Sequence, residues 1–415
     1  MPRMKTMLAL AVLLAAGQSL AQTTLRITGF KYGPIEGEMM RQINENFMKK
    51  YPDIKVQYEP INGYDAYKDI IKARLAGGDA PDIFMGLARN DMVLWSRAGY
   101  LLDLTSQPWV SRMVPSARQL STADKKVYQM VAEYSGIGMF VNTDLLKKAG
   151  ASIPTDAPSF VKTMNSLKQK GITPLLLGGK DAWGYEIMAE FIAANTLYRT
   201  TPDYDQRLIT GKAKFNSAPW VNALNTLNQY GKAGYYNPKL SLGIDSFDNA
   251  YSEFSAGRVA MIPMGSWGVQ IVQKNNPNLK FQMIPYPGGP AGSKPIGMDL
   301  AGMSMMINAK TKNAAAARTY LNYFSSPENM KFYLTKSGAF SPFKDVAGTL
   351  PAEMNPLAAA VKDGRTVSYL PYQWPVADMT TPMRKGLQDL INGTAPAQVL
   401  SDWDKAFADQ LARFK

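Results

Sequence analysis

Two hydrophobic periods alternate along the first part of the chain. Leu25-Arg26-Ile27-Thr28 switches between apolar and polar positions up to Gly29, the pattern of a half-buried strand. Between Glu36 and Tyr51, Met39, Met40, Ile43 and Phe47 recur at helical spacing. Asp53 to Tyr58 alternates again. Tyr67 to Ala76 returns to the helical period through Ile70, Ile71 and Leu75, and Gly77-Gly78 closes it. Asp82-Ile83-Phe84-Met85 reads as a short buried strand. This order predicts a parallel sheet covered by helices joined through right-handed crossovers.

The α/β pattern continues. A strand is expected at Ile137 to Val141, with Asn142 capping a helix to Ala149, and Ser159 capping another through Phe160, Met164 and Leu167. Gly171 to Leu177 is a turn into a buried strand. Helices are predicted near 185–198, 218–232 and 246–256, and strands at Val259 to Ile262 and Phe281 to Ile284. A Pro/Gly-rich segment, Pro285 to Pro295, breaks the pattern before a strand at Met303 to Ile307. Helices follow at 313–324, 327–335 and 396–414, the last around Leu400, Trp403, Phe407 and Leu411.

A length of 415 residues suggests two domains. Neither a fixed repeat nor a low-complexity linker separates them, so the chain is expected to cross between them more than once. The pattern breaks at Glu133-Tyr134, Pro285-Tyr286 and Ser325-Ser326-Pro327 are the candidate crossings. They assign 22–133 and 286–325 to a first lobe, and 134–285 and 326–415 to a second.

The first residues follow another logic. Arg3 and Lys5 precede an apolar run from Met7 to Ala16, then Gly17-Gln18-Ser19-Leu20-Ala21 with small residues at 19 and 21. This is the layout of a secretory signal peptide over 1–21, cleaved after Ala21. The run is shorter than the about 20 apolar residues that span a bilayer. Without cysteine, no lipid can be attached to a new N-terminal cysteine. The expected location is therefore periplasmic or extracellular, without a lipid anchor.

Composition narrows the chemistry. The formal charge is +13, or +11 once Arg3 and Lys5 are removed, but the lysine pairs Lys49-Lys50, Lys125-Lys126 and Lys147-Lys148 are scattered near helix ends. There they suit the helix dipole, and no nucleic-acid partner is expected. With no histidine and no cysteine, Ser-His-Asp, Cys-His and imidazole-metal sites are excluded. Gly288 to Lys294 has the wrong spacing for a phosphate loop. Carboxylate-only chemistry, as in glycoside hydrolysis, survives this filter.

Several blocks then carry a family likeness. They are Phe47 to Val56 (FMKKYPDIKV), Leu75 to Ile83 (LAGGDAPDI), Met139 to Gly150 (MFVNTDLLKKAG), Phe254 to Met261 (FSAGRVAM) and Gly265-Ser266-Trp267. In this order the chain resembles the family 1 extracellular solute-binding proteins of ABC sugar importers, the maltose-, raffinose- and multiple-sugar-binding group. Lys170 to Pro174 and Gly178 to Trp183 are most similar to the raffinose and multiple-sugar branch. The resemblance implies a two-lobed periplasmic-binding-protein (Venus-flytrap) fold with a ligand cleft between the lobes. It implies a carbohydrate ligand, an oligosaccharide or disaccharide, and delivery to the membrane permease subunits of an ABC importer. The chain is expected to be a monomer and not an enzyme, with no cofactor and no metal.

A sugar presents apolar ring faces and hydroxylated edges, so its site needs aromatic platforms beside carboxylates, amides and cations. Trp267 follows a strand end and is the first candidate platform. Trp183 in a polar loop and Trp374 in the aromatic, proline-held segment Tyr369 to Pro375 read equally as platforms or as packing. Gln373 belongs to the same segment. Lys31, Tyr32 and Glu36 follow the first strand, Tyr64 the second, and Arg89 and Asn90 the third. Glu133 sits at a proposed crossing, and Asp181 and Asp299 in loops beside predicted strands. Each reads equally as a cap, a turn or a surface charge. Two other readings stay open: a binder of a polyamine, an anion or iron, and a carboxylate-based glycosidase using Asp181 and Asp299.

Overall fold

The computed structural model describes residues 22–414 except 88 and 377. The expected signal peptide, 1–21, lies outside the described residues. Two sheets organise two lobes. In the first lobe, β1 (Thr23–Gly29) runs parallel to both β2 (Ile54–Pro60) and β3 (Ile83–Gly86). Helices Glu38–Lys50 and Tyr64–Gly77 make the crossovers, as the switching periods predict. A small hairpin, β4 (Thr122–Ala123) and β5 (Lys126–Val127), precedes β6 (Met130–Val131).

The second lobe is built on β7 (Tyr134–Asn142), nine residues of which eight are buried. One edge of β7 pairs with β9 (Val259–Gly265), which pairs in turn with β8 (Thr173–Leu175). The other edge is shared. β10 (Phe281–Ile284) covers its second half and β11 (Gly297–Ala301) its first. β12 (Ser304–Ile307) returns to the first sheet, antiparallel to β3 and β6, and β13 (Thr366–Ser368) pairs with β11.

Each lobe has its own apolar core. The first gathers buried residues from Leu25 to Ala132 and from Met303 to Val346; the second gathers Ile137 to Leu300 and Met354 to Phe407. The chain therefore passes between cores three times, at 132–137, 300–303 and 346–354. The first passage lies where the pattern break at Glu133-Tyr134 was expected; the other two do not. Tyr286 stays in the second core, stacked on Phe191 with centroids 5.4 Å apart. The Pro/Gly loop after it is tied to the same lobe: Ile296 N donates to Asn195 Oδ1 (2.9 Å) and Gly292 N to Asp156 Oδ2 (2.7 Å). At Ser325-Ser326 the flanking Phe324, Met330 and Tyr333 all belong to the first core. A break in hydrophobic period marks a turn and carries no information about which core follows.

One cap also differs. Asp156, not Ser159, caps helix Ala157–Gln169. Its Oδ1 accepts from Ser159 N (2.9 Å), while Asp156 N donates to Ser159 Oγ (3.0 Å), a reciprocal pair that satisfies two end groups.

Candidate functional site

A cavity of about 690 Å³ lies between the lobes. The first lobe contributes the loop after β1, the start of helix Tyr64–Gly77 and Leu87 beyond β3. The second contributes Asp181 and Trp183, Phe247 to Tyr251, Trp267 just past β9, and the segments around Tyr372 and Arg384. Ligands in open α/β sheets sit beyond strand ends, and the loops after β1, β3 and β9 obey that rule.

The wall on the second lobe is aromatic. Trp183 lies 6.1 Å from Trp267 and 5.1 Å from Phe247, centroid to centroid. Asp181 builds this corner. Its Oδ1 accepts from Trp183 N (3.1 Å) and from Ser246 Oγ (2.5 Å), and its Oδ2 accepts from Ser246 N (2.9 Å). The loop before helix Trp183–Ala193 is thereby pinned to the loop that carries Phe247. Ala182 between them adopts a left-handed φ of 56°, uncommon for a residue with a Cβ and held here by both anchors. Trp267 lies over Gly265, where a Cβ would overlap its ring. Tyr32 and Phe247, from opposite lobes, are two exposed aromatics on this cavity, 39% and 37% accessible. Burial, with the Asp248 and Glu36 carboxylates next, pushes the Tyr32 hydroxyl above its ordinary pKa, so acids of both lobes surround it.

Beneath the first-lobe side lies a closed ionic network. Lys31 Nζ donates to Glu36 Oε1 (2.6 Å) and to Glu133 Oε1 (2.9 Å). Glu133 also accepts from Met303 N (3.1 Å) and Tyr333 OH (2.8 Å), while Tyr58 OH donates to the Lys31 carbonyl (2.7 Å). Burial opposes the charge on Lys31, but Glu133 and Glu36 more than reverse this and hold its pKa above the ordinary lysine value. With Lys31 and Glu133 almost fully buried, this network shapes the cavity floor and joins the first passage between lobes to β1.

A second network lies behind the aromatic wall. Arg384, on helix Thr380–Ile391, donates from Nε to Glu186 Oε2 (2.6 Å) and from Nη1 to Asp65 Oδ2 of the first lobe (3.2 Å). Tyr369 OH donates to Glu186 Oε1 (2.7 Å). One turn further along the Trp183 helix, Glu190 accepts from Leu370 N, and among the described residues its Oε1 has no partner. Burial, with Glu186 next, pushes the Glu190 carboxyl well above the usual carboxylate range, because one guanidinium faces two buried acids.

Of the residues singled out in the sequence, Lys31, Tyr32, Glu36, Tyr64, Glu133, Asp181, Trp183 and Trp267 line the cavity. Helix Arg89–Arg97 starts at the third candidate pair, but the side chains of Arg89 and Asn90 lie outside the described residues. Three expectations are corrected. Trp374 is a core residue: it is fully buried against Phe215 and Phe407, and its Nε1 donates to Asp205 Oδ1 (2.9 Å). Gln373, its neighbour, is exposed away from the cavity lining. Asp299 lies outside the lining as well, where its Oδ1 accepts from Ser368 Oγ (2.8 Å) and steadies the β11–β13 edge.

Phe247, Tyr372 and Arg384 line the cavity without having been singled out. Helix Thr380–Ile391 had a readable signal, since Met383, Leu387 and Leu390 fall at i, i+4 and i+7. No local pattern marks which of its polar residues meets the other lobe.

The model of the bacterial extracellular solute-binding protein family matches residues 42–360. The chain belongs to this family. The multiple sugar-binding protein of Streptococcus mutans is 22% identical over 366 residues, covering 85% of this chain and 86% of that protein. The melibiose/raffinose/stachyose-binding protein MelE of Bacillus subtilis is 24% identical, covering 75% and 72%. Among solved structures, the solute-binding protein RafE in complex with raffinose superposes with a TM-score of 0.80 at 21% identity, covering 94% of this chain and all of that one. The two-lobed solute-binding fold is therefore shared across nearly the whole chain. Among the described residues, no helix is long and apolar enough to cross a membrane.

Proposed function

We propose that this chain captures an oligosaccharide outside the cytoplasmic membrane, as a monomer, and delivers it unaltered to the permease of an ABC importer. The observation that carries this reading is the wall of Trp183, Trp267 and Phe247 on an interlobe cavity whose lining also brings in hydrogen-bonding side chains such as Glu36, Asp65, Asp181, Tyr372 and Arg384. Indole faces suit the C–H faces of pyranoses, and the surrounding polar groups suit their hydroxyls. The volume sits within the roughly 300–1,000 Å³ typical of small-molecule clefts. Relatives named for binding multiple sugars, melibiose, raffinose and stachyose support the ligand class.

A hydrolytic role has little support. Asp181 has both oxygens engaged by Ser246 and the Trp183 amide, and Asp299 does not reach the cavity. These two acids do not flank a common point where a glycosidic bond could sit.

The test is titration of the mature protein with a panel that includes raffinose, stachyose, chitotriose, a polyamine and ferric iron. A sugar should quench or shift tryptophan emission saturably. At 100 times its Kd it should stabilise the fold by about 2.7 kcal/mol. Silence across the sugars with a response to the polyamine or iron refutes the ligand class. Release of reducing ends refutes simple capture.

A further inference from the structure

The aromatic wall leaves Arg384 unexplained. Glu186, wholly buried and itself bonded by Tyr369, holds the guanidinium from behind through Nε. Nη1 crosses to Asp65 on the other lobe. Nη2 makes no hydrogen bond to any described residue, and it is not among the polar atoms sealed in the interior without a partner. Among the described residues Asp65 is bonded only through Oδ2, which leaves its Oδ1 open as well. The Tyr372 hydroxyl donates to no described residue, and the charges of Arg384 and Asp65 both act on it. Arg384, Asp65 and Tyr372 all line the cavity. Glu186 lies one turn along the helix that begins at Trp183, which places this polar group beside the aromatic wall.

We propose that Arg384 and Asp65 form a hydroxyl seat shared by the two lobes, which the solute completes, so that its occupation is coupled to lobe closure. Glu186 is the positioning residue for Arg384. The proposal rests on the sugar-capture reading and deepens it.

The chemistry is complementary. A guanidinium only donates and a carboxylate only accepts, while each sugar hydroxyl does both. Adjacent hydroxyls on one pyranose edge can therefore accept from Nη2 and donate to Oδ1 together. When the lobes part, the donor leaves with one lobe and the acceptor with the other. The solute makes the whole set only in the closed form, and a ligand shifts a conformational equilibrium only through such a difference between states. The Asp65 side chain is 72% accessible, and an ion pair with so exposed a partner is too weak to hold the lobes shut alone.

The experiment uses the mature protein with raffinose, stachyose and chitotriose, and the variants Asp65→Asn, Arg384→Lys and Glu186→Gln. Asp65→Asn should fold normally, because its side chain is exposed, and its Kd for the bound sugar should rise tenfold or more. Arg384→Lys keeps a charge opposite Glu186 but loses the fork; its effect should be as large and should not add to that of Asp65→Asn. Small-angle scattering should show the wild type contracting at saturating sugar. Asp65→Asn and Glu186→Gln should contract less, even where tryptophan emission reports full occupancy. An Asp65→Asn variant that loses less than tenfold, or contracts fully, overturns the seat and leaves sugar capture standing. A wild type that binds no sugar overturns both.

Discussion

Replacing Trp267 by alanine separates a platform from a core tryptophan. The ring is partly accessible, lines the cavity and rests on the bare backbone of Gly265, whereas its neighbour Trp183 is only 6% accessible and belongs to the second-lobe core. The two substitutions should therefore act on different quantities. Trp183→Ala removes a packed aromatic and should cost about 3–5 kcal/mol of folding stability. Trp267→Ala removes less buried surface but takes away a face on which a sugar can lie. Truncating an aromatic anchor of this kind costs roughly 2 kcal/mol of binding, about thirtyfold in Kd. Gly265→Ala offers a second route, since its methyl group would displace the ring while leaving Trp267 in the chain. The assay pairs calorimetric titration of the sugar with thermal unfolding of each variant. The reasoning fails if Trp267→Ala binds within threefold of wild type, or if it unfolds as readily as Trp183→Ala.

Trp374→Phe should reduce stability by about 1–3 kcal/mol, because Asp205 loses one of its two donors inside the lobe, and sugar affinity should not change; a selective loss of affinity would return Trp374 to the binding site. Glu190 predicts a pH dependence. A carboxyl whose folded pKa lies above its unfolded value contributes stability that is complete below the ordinary carboxylate range and is lost as pH rises through the folded value. Glu190→Gln, neutral throughout, should hold its melting temperature better than wild type between pH 5 and pH 9, and a constant difference across that range would refute it.

Local pattern determined most of the elements. Strand and helix periods in the first lobe, the strand Phe281–Ile284, and helices Ala218–Lys232 and Pro396–Phe414 follow from which positions are apolar, because each element must bury one face. The strand end before Trp267 was legible in the same way, and Trp267 lines the cavity. The missing histidines and cysteines removed whole classes of chemistry before any fold was known.

What depends on contacts between distant residues was decided only by the tertiary structure. Trp183 and Trp374 are both tryptophans in polar or proline-bearing segments and both pack in the second-lobe core, yet only Trp183 also borders the cavity. The difference is made by Ser246, 65 residues from Asp181, and by Asp205, 169 residues from Trp374. Two of the three passages between lobes escaped the sequence for a related reason: a turn looks the same whether the chain returns to its own core or enters another. Arg384 meets Asp65 across 319 residues and two lobes. Hydrophobic period registers which face of a helix is buried, but a salt bridge across a cleft is set by how two finished lobes come together.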